Sequence, residues 1–340
     1  MSRNITVTLL AIAAVPALAL AGCSASTPAA EDDGLIHIVA STNVYADVAA
    51  TIGGDLVTTQ ALIADPAADP HSYEATTRDQ LAVSDADLLI LNGGGYDAFM
   101  ETLIEASGAT APVINAVEVS GLLGDDHDHE AEETATADAT AEAEEDHADE
   151  DHAEEEHTDD DGHNHIEGFN EHVWYSLHAM EHIVEEIEHE LTELNPDGSA
   201  TFEANADALL AEIAVLHDRQ HEFADANGGL EALVTEPVPL YLLEDMGFVN
   251  VTPEAFTEAI EEGSEISVSV LDEVLRLTAG GSISILGYND QTTSPETERV
   301  LAAAETAAVP VVGFAETIPD GEDYVSWMTA NIDAVETATR

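Results

Sequence analysis

The chain contains no lysine. Six arginines are its whole basic complement and they face 71 acidic residues, for a formal net charge of −65. Such a surface repels phosphate instead of neutralising it, so nucleic acid is excluded as a partner, and an anionic membrane surface is disfavoured for the same reason. Cations are the partners that remain, although so much negative charge also serves solubility. Cysteine occurs once, at position 23, so no intramolecular disulfide can form. Beyond the N-terminal stretch, no segment is apolar over the roughly 20 residues that a membrane-spanning helix needs. Three catalytic signatures are also missing: the His-Glu-x-x-His of zinc proteases, Gly-x-Ser-x-Gly, and a phosphate-cradling glycine loop with Lys.

What is present begins with Arg3 and an apolar run over residues 5–20 that includes Leu9, Leu10, Ile12, Val15 and Leu18. The run is short for a bilayer span and ends in small residues, the pattern of a secretory signal. Its end, Leu20-Ala21-Gly22-Cys23, resembles a bacterial lipobox, in which the cysteine becomes the lipidated first residue of the mature protein. The expectation is a signal peptide over residues 1–22, a lipid on Cys23 and a flexible tether over residues 23–34. The protein would then be secreted across the cytoplasmic membrane and held on the outer face of that membrane. A free or buried cysteine beside a chance run of small residues is the bland alternative.

A chain of 340 residues can form two compact domains of roughly 100–200 residues each. Apolar runs predict strands over residues 35–40, 56–63, 86–91 and 112–114, with helices over 44–52, 76–83 and 99–106 between them. After a break, helical pattern runs from His172 to about Leu194, where Asn195-Pro196 ends it, and again over residues 200–226, closed by Gly228-Gly229. Strands follow over 233–235, 282–287 and 310–313, with helices over 239–246, 253–260, 268–277, 294–307 and 324–337. Alternation of this kind argues for parallel sheets built from βαβ units. The reading is an α/β protein with two βα-alternating lobes, residues 35–172 and 196–340, joined by a long linking helix over 173–195 that begins near Trp174.

The break is a stretch over residues 125–165 made almost wholly of Asp, Glu, His, Ala and Thr. It cannot bury enough apolar area to offset its ordering entropy, so it is expected to be a disordered acidic, histidine-rich loop when metal-free. It carries His127, His129, His147, His152, His157, His163 and His165. These are candidate auxiliary metal ligands, weak and numerous, against the simpler reading of a solvated spacer.

Two other histidines sit in specific surroundings: His71 in Asp69-Pro70-His71-Ser72-Tyr73-Glu74, ahead of a helix, and His172 in Asn170-Glu171-His172-Val173-Trp174. Neither lies in an apolar run, so neither reads as a core histidine. The strings around them, with Ala40-Ser41-Thr42-Asn43-Val44-Tyr45, Ile52-Gly53-Gly54-Asp55, Asp85-Ala86-Asp87-Leu88 and Asn92-Gly93-Gly94-Gly95-Tyr96, resemble the solute-binding proteins of ABC transporters that carry zinc and manganese. Val234-Thr235-Glu236-Pro237, Gly313-Phe314-Ala315-Glu316-Thr317 and Met328-Thr329-Ala330-Asn331 extend the resemblance to the second half. It covers residues 38–108, 170–215 and 233–339, and passes over the tether and the acidic loop. Relatives usually have Pro where Glu171 stands, and many have His where Glu236 stands.

The resemblance implies a metal site with His71 and His172 from one lobe and Glu236 and Glu316 from the other, in the cleft between them. Two imidazoles and two carboxylates suit Zn²⁺, which takes N and O ligands at roughly 2.0–2.2 Å, and would neutralise a divalent ion. Glutamate in place of a third histidine hardens the site and makes Mn²⁺ the alternative; the histidine-rich loop keeps Zn²⁺ first. Asn289 and Asp290, just after a strand, are candidates to reach the same cleft and support the ligands. The resemblance further implies an ABC permease and its ATPase as partners, a monomeric receptor, and no enzymatic activity. A surface adhesin or metal store without a transport partner, or less readily a secreted metallohydrolase, are the competing functions. His178 with His182, and His217 with His221, are each four apart on a helix and could bind metal, although acidic neighbours favour a solvated face.

Overall fold

The computed structural model describes residues 34–65, 68, 70–123, 166 and 168–340. The expected signal peptide, Cys23, the tether, and His127, His129, His147, His152, His157, His163 and His165 of the acidic loop lie outside the described residues, as does Asp69. Among the described residues no helix is long and apolar enough to cross a membrane.

Residues 35–340 form one unit built on two four-stranded parallel sheets. The first sheet contains β1 (Ile36–Thr42), β2 (Val57–Ile63), β3 (Leu88–Leu91) and β4 (Val113–Asn115) in the order β2-β1-β3-β4. Its helices are α1 (Asn43–Gly53), α2 (Thr77–Asp85), α3 (Ala98–Ser107) and the short α4 (Ala116–Val119). The second sheet repeats the plan with β5 (Glu231–Val234), β6 (Val249–Asn250), β7 (Ile283–Asn289) and β8 (Val311–Phe314) in the order β6-β5-β7-β8. Around it lie α7 (Leu240–Asp245), α8 (Glu254–Glu261), α9 (Val268–Ala279), α10 (Pro295–Ala307) and α11 (Tyr324–Ala338). In both sheets the chain order reverses across the middle, and this is where open α/β sheets bind ligands, beyond the carboxyl ends of the strands.

Local sequence accounts for the element ends. Thr76 and Asp79 form a reciprocal capping box that starts α2, Ser294 and Thr297 do the same for α10 with Pro295 in its first turn, and Asp323 with Ser326 starts α11. Each box satisfies backbone N–H groups that helix geometry leaves without partners. Between the lobes stand α5 (Leu177–Leu194) and α6 (Ser199–Asn227). α5 begins three residues later than Trp174, because residues 173–175 take a 3₁₀ turn and Ser176 caps the helix by accepting from the Ala179 N–H at 3.2 Å. Its Leu177, Met180, Ile183, Val184, Ile187 and Leu191 are buried at helical spacing, each worth about 1.5–3 kcal/mol of hydrophobic burial.

The link between lobes is a helical pair. α5 runs to the turn at Pro196–Gly198, and α6 returns along it. Near its start, Asn205 Nδ2 donates to the Ile52 carbonyl at the end of α1, 2.9 Å; nearer its end, Arg219 pairs with Asp333 and Glu336 on α11. α6 therefore touches both halves of the molecule. A single apolar core runs from β1 and α1 through α5 and α6 to α11. Direct bonds reinforce it: Asn43 Nδ2 to the Ile318 carbonyl (2.8 Å), the Ile318 N–H to Asn43 Oδ1 (3.0 Å), the Tyr324 N–H to Asp47 (2.9 Å) and the Tyr324 hydroxyl to the Trp174 carbonyl (2.8 Å).

Candidate metal centre

The four candidate cleft ligands stand two residues past a strand or at a 3₁₀ turn. His71 sits in a 3₁₀ turn, Pro70–Ser72, in the connection from β2 to α2. His172 is 1% exposed and immediately precedes the 3₁₀ turn Val173–Tyr175. Glu236 follows β5 by two residues and is 3% exposed; Glu316 follows β8 by two and is 1% exposed. In a chain so rich in carboxylates, burial of these two is informative, since a charged group enters the interior only where partners compensate it.

The tautomer of His172 can be derived from its neighbours. Asn170 Nδ2 donates to the Pro237 carbonyl at 3.0 Å, which can only accept, so Asn170 Oδ1 is the acceptor end of that amide. Oδ1 receives the backbone N–H of His172 at 3.1 Å and lies 2.8 Å from its Nδ1. Nδ1 therefore carries the proton, and neutral His172 presents the lone pair of Nε2 as a metal ligand. The Tyr241 hydroxyl braces this arrangement from the second lobe by donating to the Asn170 carbonyl at 2.7 Å.

Tyr96 supports the opposite side. Its ring packs edge-on to His71 and His172, with centroids 4.9 and 5.6 Å away. Burial first, then the charge of Glu316, raises its pKa well above the ordinary tyrosine value. It stays protonated and donates to Glu316 Oε2 at 3.2 Å. Tyr96 owes its position to the turn after β3, where Gly93, Gly94 and Gly95 all have positive φ. A Cβ on Gly93 would stand 2.1 Å from Asn115 Oδ1, so no other residue fits there. Buried Asp97 holds the same turn by accepting from the Asn92 and Gly93 N–H groups at 2.7 and 2.9 Å.

The second lobe joins its two glutamates through one amide. Asn289 Nδ2 donates to Glu236 Oε2 at 2.6 Å and to Glu316 Oε1 at 2.7 Å. Both amide protons are used, so the side chain fixes the separation of two like charges that would otherwise repel. Hydrogen bonds to charged acceptors are worth about 1.5–3 kcal/mol each. The Thr292 hydroxyl donates to Glu236 Oε1, and Gln291 Oε1 accepts from the Glu316 N–H. Asp290 is placed elsewhere: it is exposed, and its carboxylate lies 2.7 Å from where a Cβ on Gly313 would stand.

His71, His172 and Glu316 each bring one ligand atom to within 4.8 Å of the others. Glu236 is outside this trio and reaches it through the shared Asn289 amide. A second trio, His71 with Glu171 and Glu261, has the same spacing, and Glu261 Oε1 is 3.7 Å from His172 Nε2. Sequence reasoning missed both glutamates. Glu171 stood out only as a departure from proline, yet it is 2% exposed and inside the centre. Glu261 ends α8 in a run with Glu258, Glu262 and Glu265, where one acid is indistinguishable from the next. Its carboxyl is pushed up to about 10 by burial first, then by Glu171, Glu236, Glu316 and Glu262. A crowd of buried carboxylates around two imidazoles creates strong local demand for a cation.

Known proteins share this fold and parts of this sequence. The manganese-binding lipoprotein MntA of Halalkalibacterium halodurans is 28% identical over 209 residues, which cover 61% of this chain and 56% of that protein. The zinc-binding lipoprotein AdcA of Streptococcus pneumoniae serotype 4 is 24% identical over 336 residues, 97% of this chain and 60% of that protein. The chain thus spans somewhat over half the length of these two relatives. The periplasmic zinc-binding protein TroA of Treponema pallidum has the same fold, with a TM-score of 0.67 at 19% identity, over 90% of this chain and 99% of that one. The model of the family described as ZnuA, zinc-uptake complex component A, periplasmic, matches residues 38–338, and the chain belongs to that family.

Proposed function

We propose that the protein is an extracytoplasmic receptor that captures Zn²⁺, with Mn²⁺ as the alternative, and delivers it to an ABC permease and its ATPase for import. The observation that carries this reading is the meeting of His71 and His172 from one lobe with Glu316 from the other, their ligand atoms within 4.8 Å of one another. Glu236, held to Glu316 by Asn289, is the fourth ligand in this reading, and Glu171 and Glu261 supply further negative charge. Two nitrogen and two oxygen donors suit Zn²⁺; the surplus of carboxylate oxygens favours Mn²⁺ more than a histidine-rich centre would. Relatives of the chain include a zinc-binding and a manganese-binding lipoprotein.

In the same reading residues 35–172 and 196–340 are the lobes, residues 1–22 are a signal peptide and Cys23 carries the lipid that holds a monomeric receptor on the outer membrane face. The histidines of residues 125–165 gather Zn²⁺ weakly and pass it inward. The centre serves capture and release, not hydrolysis, because carboxylates are at hand to complete the coordination sphere, whereas a hydrolase needs an open position for water. The deciding experiment is elemental analysis of the purified protein after equilibration with equal Zn²⁺ and Mn²⁺. One tightly held ion that is lost in His71→Ala and His172→Ala is the expected result. Retention of that ion in both variants would refute the site.

A further inference from the structure

We propose that His217 and His221 of α6, Asp245 of α7 and His178 of α5 form a second divalent-cation site, separate from the cleft and suited to Zn²⁺ in preference to Mn²⁺. The inference does not depend on the cleft's function. Residues four apart on a helix project from one face, and the His217 and His221 rings lie with centroids 4.4 Å apart. Arg219 stands between them in sequence but points to another side of α6, where it is engaged by Asp333 and Glu336. No positive side chain on α6 thus competes for the pair's face.

The carboxylate comes from the element packed against that face. α7 ends beside α6: a Cβ on Gly247 would stand 3.1 Å from the Ala224 Cβ, one turn beyond His221. Asp245, two residues before Gly247, is half-buried. Burial raises its pKa, and His217, His221 and His178 each pull it back down. One carboxylate is thus within electrostatic reach of three imidazoles on two helices, with Glu244 as its acidic neighbour. In a chain without lysine, these imidazoles are what the site offers against that charge. His178 also lies against His182, centroids 4.8 Å apart, and 3.6 Å from Glu181.

An ion seated on the His217–His221 pair that drew in the other two side chains would meet three imidazole nitrogens and one carboxylate oxygen, a four-ligand set typical of Zn²⁺. Mn²⁺ prefers oxygen ligands and stands at the weak end of the affinity order for such donors. His178 and His221 are exposed and His217 is partly so, which leaves a path for an ion from solvent. Their side chains must give up rotamer freedom to converge, so this site is weaker than the preorganised cleft.

The test uses the full chain, stripped of metal and titrated calorimetrically with Zn²⁺ and separately with Mn²⁺, as wild type, Asp245→Asn and the double variant His217→Gln/His221→Gln. Circular dichroism and melting temperature check that the exposed substitutions leave the fold intact. The double variant should bind one fewer Zn²⁺ per chain while the tightest event is unchanged. Asp245→Asn should weaken the event that the double variant loses about tenfold or more. Mn²⁺ stoichiometry should be equal in all three proteins. Unchanged Zn²⁺ stoichiometry in the double variant would overturn the site, and an equal loss of Mn²⁺ would overturn its assignment as a nitrogen-rich site.

Discussion

The two lobes share a strand order, each with its first and third strands in the middle of the sheet, but they contribute opposite chemistry. The first supplies imidazoles from 3₁₀ turns, His71 within one and His172 at the head of another. The second supplies carboxylates two residues past strand ends, Glu236 and Glu316, joined by Asn289. The histidines are oriented one at a time, His172 by Asn170 and both by contact with Tyr96. The glutamates are oriented as a pair by a single amide. In the proposed centre the first lobe would thus offer independent ligands, and the second a preassembled clamp whose members stand or fall together.

The sharpest break of that comparison is removal of an imidazole. His172→Ala takes away an oriented ligand, and the metal dissociation constant should rise by more than the roughly 10–100-fold that loss of an outer partner costs. His152→Ala, in the acidic loop, should leave the tight event unaltered; equal effects in calorimetry would refute the proposed centre. Next in size is the clamp. Asn289→Ala frees two like-charged carboxylates from one bond each, and affinity should fall by roughly 10–100-fold. If Glu316→Gln and Glu236→Gln cost the same in wild type but differ once Asn289 is gone, the clamp couples them. If all three effects simply add, the second lobe works like the first. A smaller effect concerns motion. Bonds of Asn43 to Ile318, of Tyr324 to Asp47 and to Trp174, together with the α5–α6 pair, tie the lobes. Metal should close the cleft by a slight rotation, and paired-label distances that report a hinge of tens of degrees would rule this out.

These asymmetries explain what could be read in advance. Seven of the eight strands announced themselves as apolar runs; β6 has two residues, Val249 and Asn250, too few for any period to register. α4, at four residues, escaped for the same reason. The start of α5 was misplaced because Val173, Trp174 and Tyr175 are apolar enough to extend its pattern but are held in a 3₁₀ turn by tertiary packing. His71 and His172 were legible because their neighbours are distinctive and neither lies in an apolar run. The clamp was half legible: Asn289 and Asp290 both follow a strand, and only the coordinates show that the first bridges the glutamates while the second sits against Gly313. Glu171 and Glu261 were hidden by abundance, because with 71 acidic residues neither composition nor spacing marks the few that turn inward.

The smallest expected effect tests the acidic character that both lobes share, away from the cleft. Asp97 holds the glycine turn of the first lobe, and burial raises its carboxyl to about 6 against hydrogen bonds from the Asn92 and Gly93 N–H groups that lower it. Asp47, Glu244 and Asp245 are raised in the same direction, with burial the largest cause for each. A carboxyl whose folded pKa exceeds its unfolded value binds its proton more tightly in the folded state, so stability falls as pH rises between the two values. For Asp97 that window runs from 3.8 to about 6. Acidification through it should therefore stabilise the metal-free chain, and loss of charge from a protein at −65 acts the same way by easing self-repulsion. The melting temperature without metal should be higher at pH 5 than at pH 7 by a few degrees, since 1 kcal/mol moves it by roughly 2–4 °C in domains of about this size. Asp97→Asn should flatten this rise while lowering the melting temperature at both values, because an amide oxygen replaces only one of the two carboxylate acceptors that hold Asn92 and Gly93. A melting temperature that falls steadily from pH 7 to pH 5 in the metal-free wild type would show that the buried carboxyls of the two lobes do not govern its stability.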